Sequence, residues 1–333
     1  MSSRFVAERI IFDRVILITL HAFASPHARP RTLKGPHASE HQLATFGSVH
    51  SVTNSSTTPS ATDSPQFPWA ELAKYATVAL LAGSAVVLFG LYDRPLYVWG
   101  LAALAASVAL SWCAGTAFAK DILLIALGLG ILSTISLEAD ISWPNMFLMG
   151  TVLSASVFVP YAMSRWGYRD HAIRFPARQG QKWSRLEIGW LAFVVIVGWL
   201  VLPRYFFYSG AYLNWPAVIT PSEIARLFVG VNAVGIWDEL FFICTVFTLL
   251  HRHFSFWPAN IVTSIIFVSF LWELGYRSWA PFITIPFALV QAVIFTRTKS
   301  LPYTVTVHLL FDAVVFLSIV HAHHPQALPI FWY

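Results

Sequence analysis

The chain has 333 residues, 57% of them hydrophobic and only 11% charged, with a mean hydropathy of +0.64, which excludes an ordinary soluble domain carrying about 25% charged residues. The formal charge of +5 does not indicate a nucleic-acid binder, because the basic residues gather in one loop between apolar runs instead of forming a continuous patch. Cys113 and Cys244 both lie within apolar runs, so neither a disulfide framework nor a zinc knuckle is available.

Residues 1–68 are unlike the rest. Val15 to Ala24 is apolar and ends in Ala22-Phe23-Ala24-Ser25, which imitates a signal-peptide cleavage site. Ser51 to Ser64 is nearly all Ser, Thr, Pro and Ala and cannot bury enough apolar area to fold. A disordered leader is expected here, either signal-like or read from an over-early start codon.

From residue 69 onward, apolar runs of membrane-crossing length predict an all-α polytopic integral membrane bundle of about nine transmembrane helices. Their expected limits are Tyr75 to Tyr92, Leu96 to Ala119, Ile122 to Leu137, Asn145 to Met163, Ile188 to Phe207, Leu227 to Leu250, Ala259 to Gly275, Pro281 to Phe295 and Pro302 to Val320. The first five spans with a basic loop make an N-terminal part, 69–220. Spans six to nine make a C-terminal core, 221–320, followed by a short tail, 321–333.

Arg165, Arg169, Arg174, Arg178, Lys182 and Arg185 all fall between spans four and five, which marks that loop as cytoplasmic. Alternating sides from there puts eleven basic residues inside and four outside, the four being Arg94, Arg204, Arg226 and Arg277. A cytoplasmic N-terminus, an external C-terminus and a bacterial plasma-membrane location are expected. The stretch from Tyr205 to Pro216, rich in Tyr, Phe and Trp, reads as an interfacial belt on the external side.

The four C-terminal spans are expected to hold all of the buried ionisable groups. Asp238 and Glu239 are adjacent in the sixth span, Glu273 is on the seventh, and His308 and Asp312 are on the ninth; Gln291 adds an amide on the eighth. A carboxylate at the middle of a membrane helix costs about 2.5 to 3.5 kcal/mol on insertion scales, so an adjacent pair marks a functional site facing other helices. His308 and Asp312, four residues apart, share one helical face, and an imidazole beside a carboxylate suits proton transfer or the holding of an oxyanion. Carboxylates in such a setting can act as a general base on water.

The acid pair on one span, followed by Val307-His308-Leu309-Leu310-Phe311-Asp312 after an Arg297-Thr298-Lys299-Ser300-Leu301-Pro302 entry, resembles the CAAX prenyl protease and bacteriocin-processing family of intramembrane proteases. That family carries Glu-Glu-x-x-Phe-Arg-Gly, then Phe-x-x-x-His, then His-x-x-x-Asn or Asp. The resemblance implies a membrane-embedded endopeptidase that hydrolyses a membrane or prenylated peptide. It gives Asp238 the role of base, Glu239 that of second carboxylate, and His308 with Asp312 that of the pair holding developing charge. Departures from the pattern include Asp238 in place of a Glu, Ile243 in place of the Arg four residues after Glu239, and Leu271 where the second motif, beginning at Phe267, has its His.

Glu273 is an auxiliary candidate, and Trp272 and Phe242 are candidates to line a substrate groove. Arg252 and Arg277, at span ends, are expected to be anchors or a counterion for Glu239. With no His-Glu-x-x-His and a single buried histidine, a divalent metal held by His308 and Glu239, with Asp238 and Asp312, is a minor alternative, and no other cofactor is expected. Two further readings share these residues: a proteolytically silent member of the family that binds a membrane peptide as a scaffold, and a proton-coupled transporter.

Overall fold

The computed structural model describes residues 68–91, 94–177, 182–326 and 328–331, all within one compact unit spanning 66–333. The expected leader, apart from its last residue, and Arg178 lie outside the described residues. Among the described residues the protein is helical and has no β-strand.

Nine helices correspond to the nine expected spans. They are α1 (Pro68–Ala85, extended by a π-helical segment, Val86–Leu91), α2 (Arg94–Ser111), α3 (Thr116–Leu132), α4 (Trp143–Ala162, extended through Met163–Tyr168) and α5 (Arg185–Ser209). They continue with α6 (Pro221–Asp238, prolonged through Glu239–Phe247 and Thr248–His251), α7 (Phe256–Leu274), α8 (Pro281–Thr298) and α9 (Leu301–His323). Eight of them are long and apolar enough to cross a membrane. The exception, α3, has seventeen residues. That is about 25 Å at 1.5 Å per residue, somewhat short of a hydrocarbon core of about 30 Å.

The boundary between the second and third spans differs from the expected one. Lys120 and Asp121 look like the polar break, but the chain turns at Gly115, whose φ of 120° suits a residue without a Cβ, and both charged residues lie inside α3. Asp121 is buried there, which corrects the expectation that only the last four spans hold buried ionisable groups. Its two oxygens accept hydrogen bonds from Arg252 Nη1 at 2.8 Å and His253 Nε2 at 2.6 Å. A buried carboxylate persists when it is paired in this way.

Helix starts follow ordinary capping chemistry. Ser184 with Glu187, and Thr220 with Glu223, form reciprocal capping boxes at the starts of α5 and α6. The Lys299-Ser300-Leu301-Pro302 entry is a helix-to-helix corner. Lys299 adopts a left-handed conformation at φ 50°, and the Ser300 hydroxyl accepts from the Tyr303 amide before α9 begins. Pro286 is accommodated inside α8.

The central helices are α6 and α7. In their most apolar eighteen-residue windows 72% and 61% of residues are buried, against 22% in α2, α4 and α5, whose outer faces carry exposed Trp99, Phe147 and Ile196. Packed against this centre, α9 lies along α5 and α6, and α7 lies along α8 and the π-helical end of α1. The residues expected as a short tail instead extend α9 to His323 and then fold back. His321 is buried, Phe331 packs on Trp199 with ring centroids 4.4 Å apart, and His323 Nε2 donates to the carbonyls of Tyr212 and Trp215.

Candidate active site

The site is built where α6 changes its winding. From Glu239 to Phe247 the helix is π-wound, so the acid pair sits on the boundary between α and π turns. π segments widen the helix and are frequent at functional sites. Thr245 and Thr248 donate their hydroxyls to carbonyls five residues back, those of Leu240 and Ile243, which satisfies backbone acceptors that the widened turns expose.

Aromatic packing holds this segment. Trp237 stacks on Phe241 at 5.1 Å and donates its indole N–H to the Ser156 hydroxyl of α4 at 3.1 Å. Phe242 packs edge-on against Phe267 of α7 at 4.9 Å. Gly128 of α3 is needed for this arrangement, since a Cβ there would lie 2.4 Å from the Phe241 ring. Phe242 is thus mainly a packing residue, although it borders the small space behind Asp238 and Glu239.

Around the acids the structure brings Asp238, Glu239, His308 and Asp312 together, all buried. His308 Nδ1 lies 2.8 Å from Glu239 Oε1, and the Gln291 amide of α8 donates to the same oxygen at 2.5 Å. The other imidazole nitrogen, Nε2, faces Asp238 Oδ2 at 3.6 Å and Asp312 Oδ1 at 3.9 Å. The partner that orients the imidazole is therefore Glu239 from α6, not the neighbouring carboxylate on its own helix. Phe287 closes one side of the ring, edge-on at 5.0 Å.

Three features of the sequence reading change here. Neither Arg252 nor Arg277 is the counterion of Glu239: Arg252 is bonded to Asp121, and Arg277 faces Glu138 at 3.5 Å. The groups on Glu239 are His308 and Gln291, whose amide is polar enough to hold a carboxylate without adding a charge. Glu273 does not join the cluster; its Oε1 accepts from the Leu137 amide at 3.0 Å. Trp272 is half-buried and does not border the cavity described next.

A cavity of about 240 Å³ is lined in part by Asp238, His308 and Asp312 of this cluster, together with Ala139, Asp140 and Ile141. Its walls are apolar and come from α4 (Met146, Met149, Leu153) as well as from α6 and α7. The contribution of α4 could not be read from the sequence, where the first five spans look like simple packing helices. Leu271, at the position of the missing motif histidine, also lines this space. Tyr276, at the turn after α7, is a further wall residue; burial, aided by the Asp312 carboxylate, pushes its phenol well above its ordinary pKa, so it stays neutral.

Gly235 is the residue that admits this geometry. A Cβ built on it would lie 1.9 Å from Asp312 Oδ2 and 3.2 Å from His308 Cδ2. The α6 and α9 backbones approach closely there because one of them lacks a side chain.

Among the described residues no three His, Cys, Asp or Glu side chains are grouped so as to hold a metal ion.

Fold and site together define a polytopic helical membrane protein with a carboxylate and imidazole cluster beside an apolar cavity. Residues 220–314, from the cap of α6 into α9, match the family described as Type II CAAX prenyl endopeptidase Rce1-like. That match is consistent with the CAAX prenyl protease family that the motif resemblance implied, and the matched segment contains all four clustered residues. No curated protein and no solved structure matches the chain.

Proposed function

We propose that the protein is an intramembrane endopeptidase that hydrolyses a peptide bond in a membrane-embedded or lipidated peptide. The observation that carries this reading is the pairing of Asp238 with His308 across 3.6 Å in the lining of the cavity, with Asp238 Oδ1 left without a hydrogen-bond partner. In this reading Asp238 takes a proton from a water held beside it. The resulting hydroxide attacks the scissile carbonyl carbon, and the carbonyl oxygen gathers negative charge that the N–H of His308 Nε2 stabilises. When the tetrahedral intermediate collapses, the proton held by Asp238 passes to the departing amine. Glu239, held by Gln291, keeps the imidazole in register, and Asp312 supports the charged imidazole from the other side.

The basic loop supports an orientation with the N-terminus in the cytoplasm, which puts the loop that carries Asp140 on the outer side. The test is hydrolysis of a farnesylated CAAX peptide and its unprenylated twin by reconstituted protein, alongside Asp238→Ala, Glu239→Ala and His308→Ala. Cleavage is expected to fall by at least about 100-fold in each variant. Cleavage indifferent to all three would reject the site.

One observation favours a second reading, a silent family member that binds its peptide without cutting it. Leu271 lines the cavity where the family pattern has a histidine, so one polar group of the usual set is replaced by an apolar wall. Tight peptide binding without product, by a correctly folded protein, would select it.

A further inference from the structure

The cavity offers a bound peptide few hydrogen-bond donors. Four of its lining side chains carry one: Trp215, Tyr276, Thr284 and His308. Thr284 gives its hydroxyl to the Ala280 carbonyl at 3.1 Å. The Trp215 indole nitrogen is packed against Gly275, 3.0 Å from where a Cβ would stand. His308 commits Nδ1 to Glu239, which leaves Nε2, and the ionised carboxylates of Asp238 and Asp312 accept only. Leu271, where the family pattern has a histidine, has no donor at all. Tyr276 is different. It is buried in the cavity wall, and among the described residues its hydroxyl has no hydrogen-bond partner. The turn that carries it is firmly held. Gly275 takes a φ of 125°, its carbonyl accepts from the Asn214 side-chain amide at 3.0 Å, and the Tyr276 amide donates to the Leu271 carbonyl at 2.9 Å. The ring packs edge-on to Trp215 at 5.7 Å. With its phenol kept neutral, Tyr276 has a proton to donate at any working pH.

We infer that Tyr276 is a second donor to the scissile carbonyl oxygen, its hydroxyl and His308 Nε2 together forming the oxyanion hole. This rests on the proposed endopeptidase reading and adds a residue to it. The tetrahedral intermediate places a full negative charge on that oxygen, and donors fixed in advance in an apolar cavity stabilise it most strongly. The hydroxyl donates a hydrogen bond and keeps its proton, so the proton still travels from water through Asp238 to the departing amine.

The test is cleavage of the farnesylated CAAX peptide by the reconstituted full chain and by Tyr276→Phe, which deletes the hydroxyl alone. Loss of one oxyanion donor is expected to lower kcat about 100-fold and to leave KM within about threefold. A residue that only packs would leave kcat where it is. A kcat within about threefold of the parent, or a loss confined to KM, overturns the inference, while cleavage abolished in Asp238→Ala would still uphold the proposed site. Where the parent itself does not cleave, the proposed function fails and the donor is read from the bound peptide instead. With the scissile carbonyl isotopically labelled, its infrared stretch is expected at a lower frequency in the parent than in Tyr276→Phe, and equal frequencies overturn the inference. Should Tyr276→Phe fail to fold, a ring-fluorinated tyrosine at this position, a stronger donor, carries the same comparison: a stretch lower than in the parent is expected, and an unchanged one overturns the inference.

Discussion

Gly235→Ala offers the sharpest test of how the site is assembled. The added methyl carbon would meet Asp312 Oδ2 at 1.9 Å, so the carboxylate has to retreat by about 1.5 Å to regain ordinary contact. Overpacking of this kind costs about 1–3 kcal/mol. The low end is expected, because the clashing atom is a side-chain tip beside a cavity. With Asp312→Ala in place the 1.9 Å clash is removed and only His308 Cδ2 remains near, at 3.2 Å, so the same Gly-to-Ala change should recover part of the helix preference of alanine, less than about 1 kcal/mol. The substitution is thus expected to destabilise the parent and to stabilise the Asp312→Ala background. The difference is read as a thermal unfolding cycle in detergent, in which 1 kcal/mol moves the midpoint by about 2 °C for a chain of this size. Equal shifts in the two backgrounds would show that Gly235 and Asp312 are not in contact and would remove the close approach of α6 and α9 on which the site depends.

Other outcomes follow from the same geometry. Gln291→Leu leaves Glu239 with His308 as its single hydrogen-bond donor; a loss of about 1.5–3 kcal/mol in unfolding free energy is expected, and an unchanged midpoint would mean the 2.5 Å contact is not formed. Leu271→His places an imidazole on the wall that also includes Asp238, and turnover of a lipidated peptide is expected to rise at least about tenfold; no gain would weaken the reading of Leu271 as a lost catalytic group. Asp121→Ala strips Arg252 and His253 of their shared carboxylate, for an expected cost of about 1.5–3 kcal/mol measured by the same unfolding assay, with little change in peptide binding. Burial acts to raise the pKa of Asp170, but hydrogen bonds from Ser164 and the Ala172 amide, with Arg252 nearby, carry it below the ordinary carboxylate value. Its stabilising effect is therefore present above the unfolded pKa of about 4 and lost as pH falls through the lower folded value, so Asp170→Asn should flatten the acid side of the stability profile.

Much of the architecture was legible in the chain because membrane burial imposes simple local rules. Run length set the number of helices, and the Ser300-Leu301-Pro302 entry preceded a helix start through capping chemistry that acts within four residues, whereas the start of α6 at Pro221 falls before the expected Leu227. The cost of burying Asp238, Glu239, His308 and Asp312 marked them as one set before any contact was known. Local rules failed at Lys120 and Asp121, which look like a break only while Asp121's partners, 131 and 132 residues away, are unseen.

The sequence by itself determined a helical membrane protein whose polar groups concentrate in its last four spans, since hydrophobic length and the penalty for buried charge are properties of single segments. Only the tertiary structure decided which groups meet. Glu239 is answered by Gln291 and not by an arginine, α4 supplies a wall of the cavity, and Gly235 lets Asp312 approach α6. Such pairings depend on the rotation and closeness of helices far apart in the chain, and no local pattern encodes either.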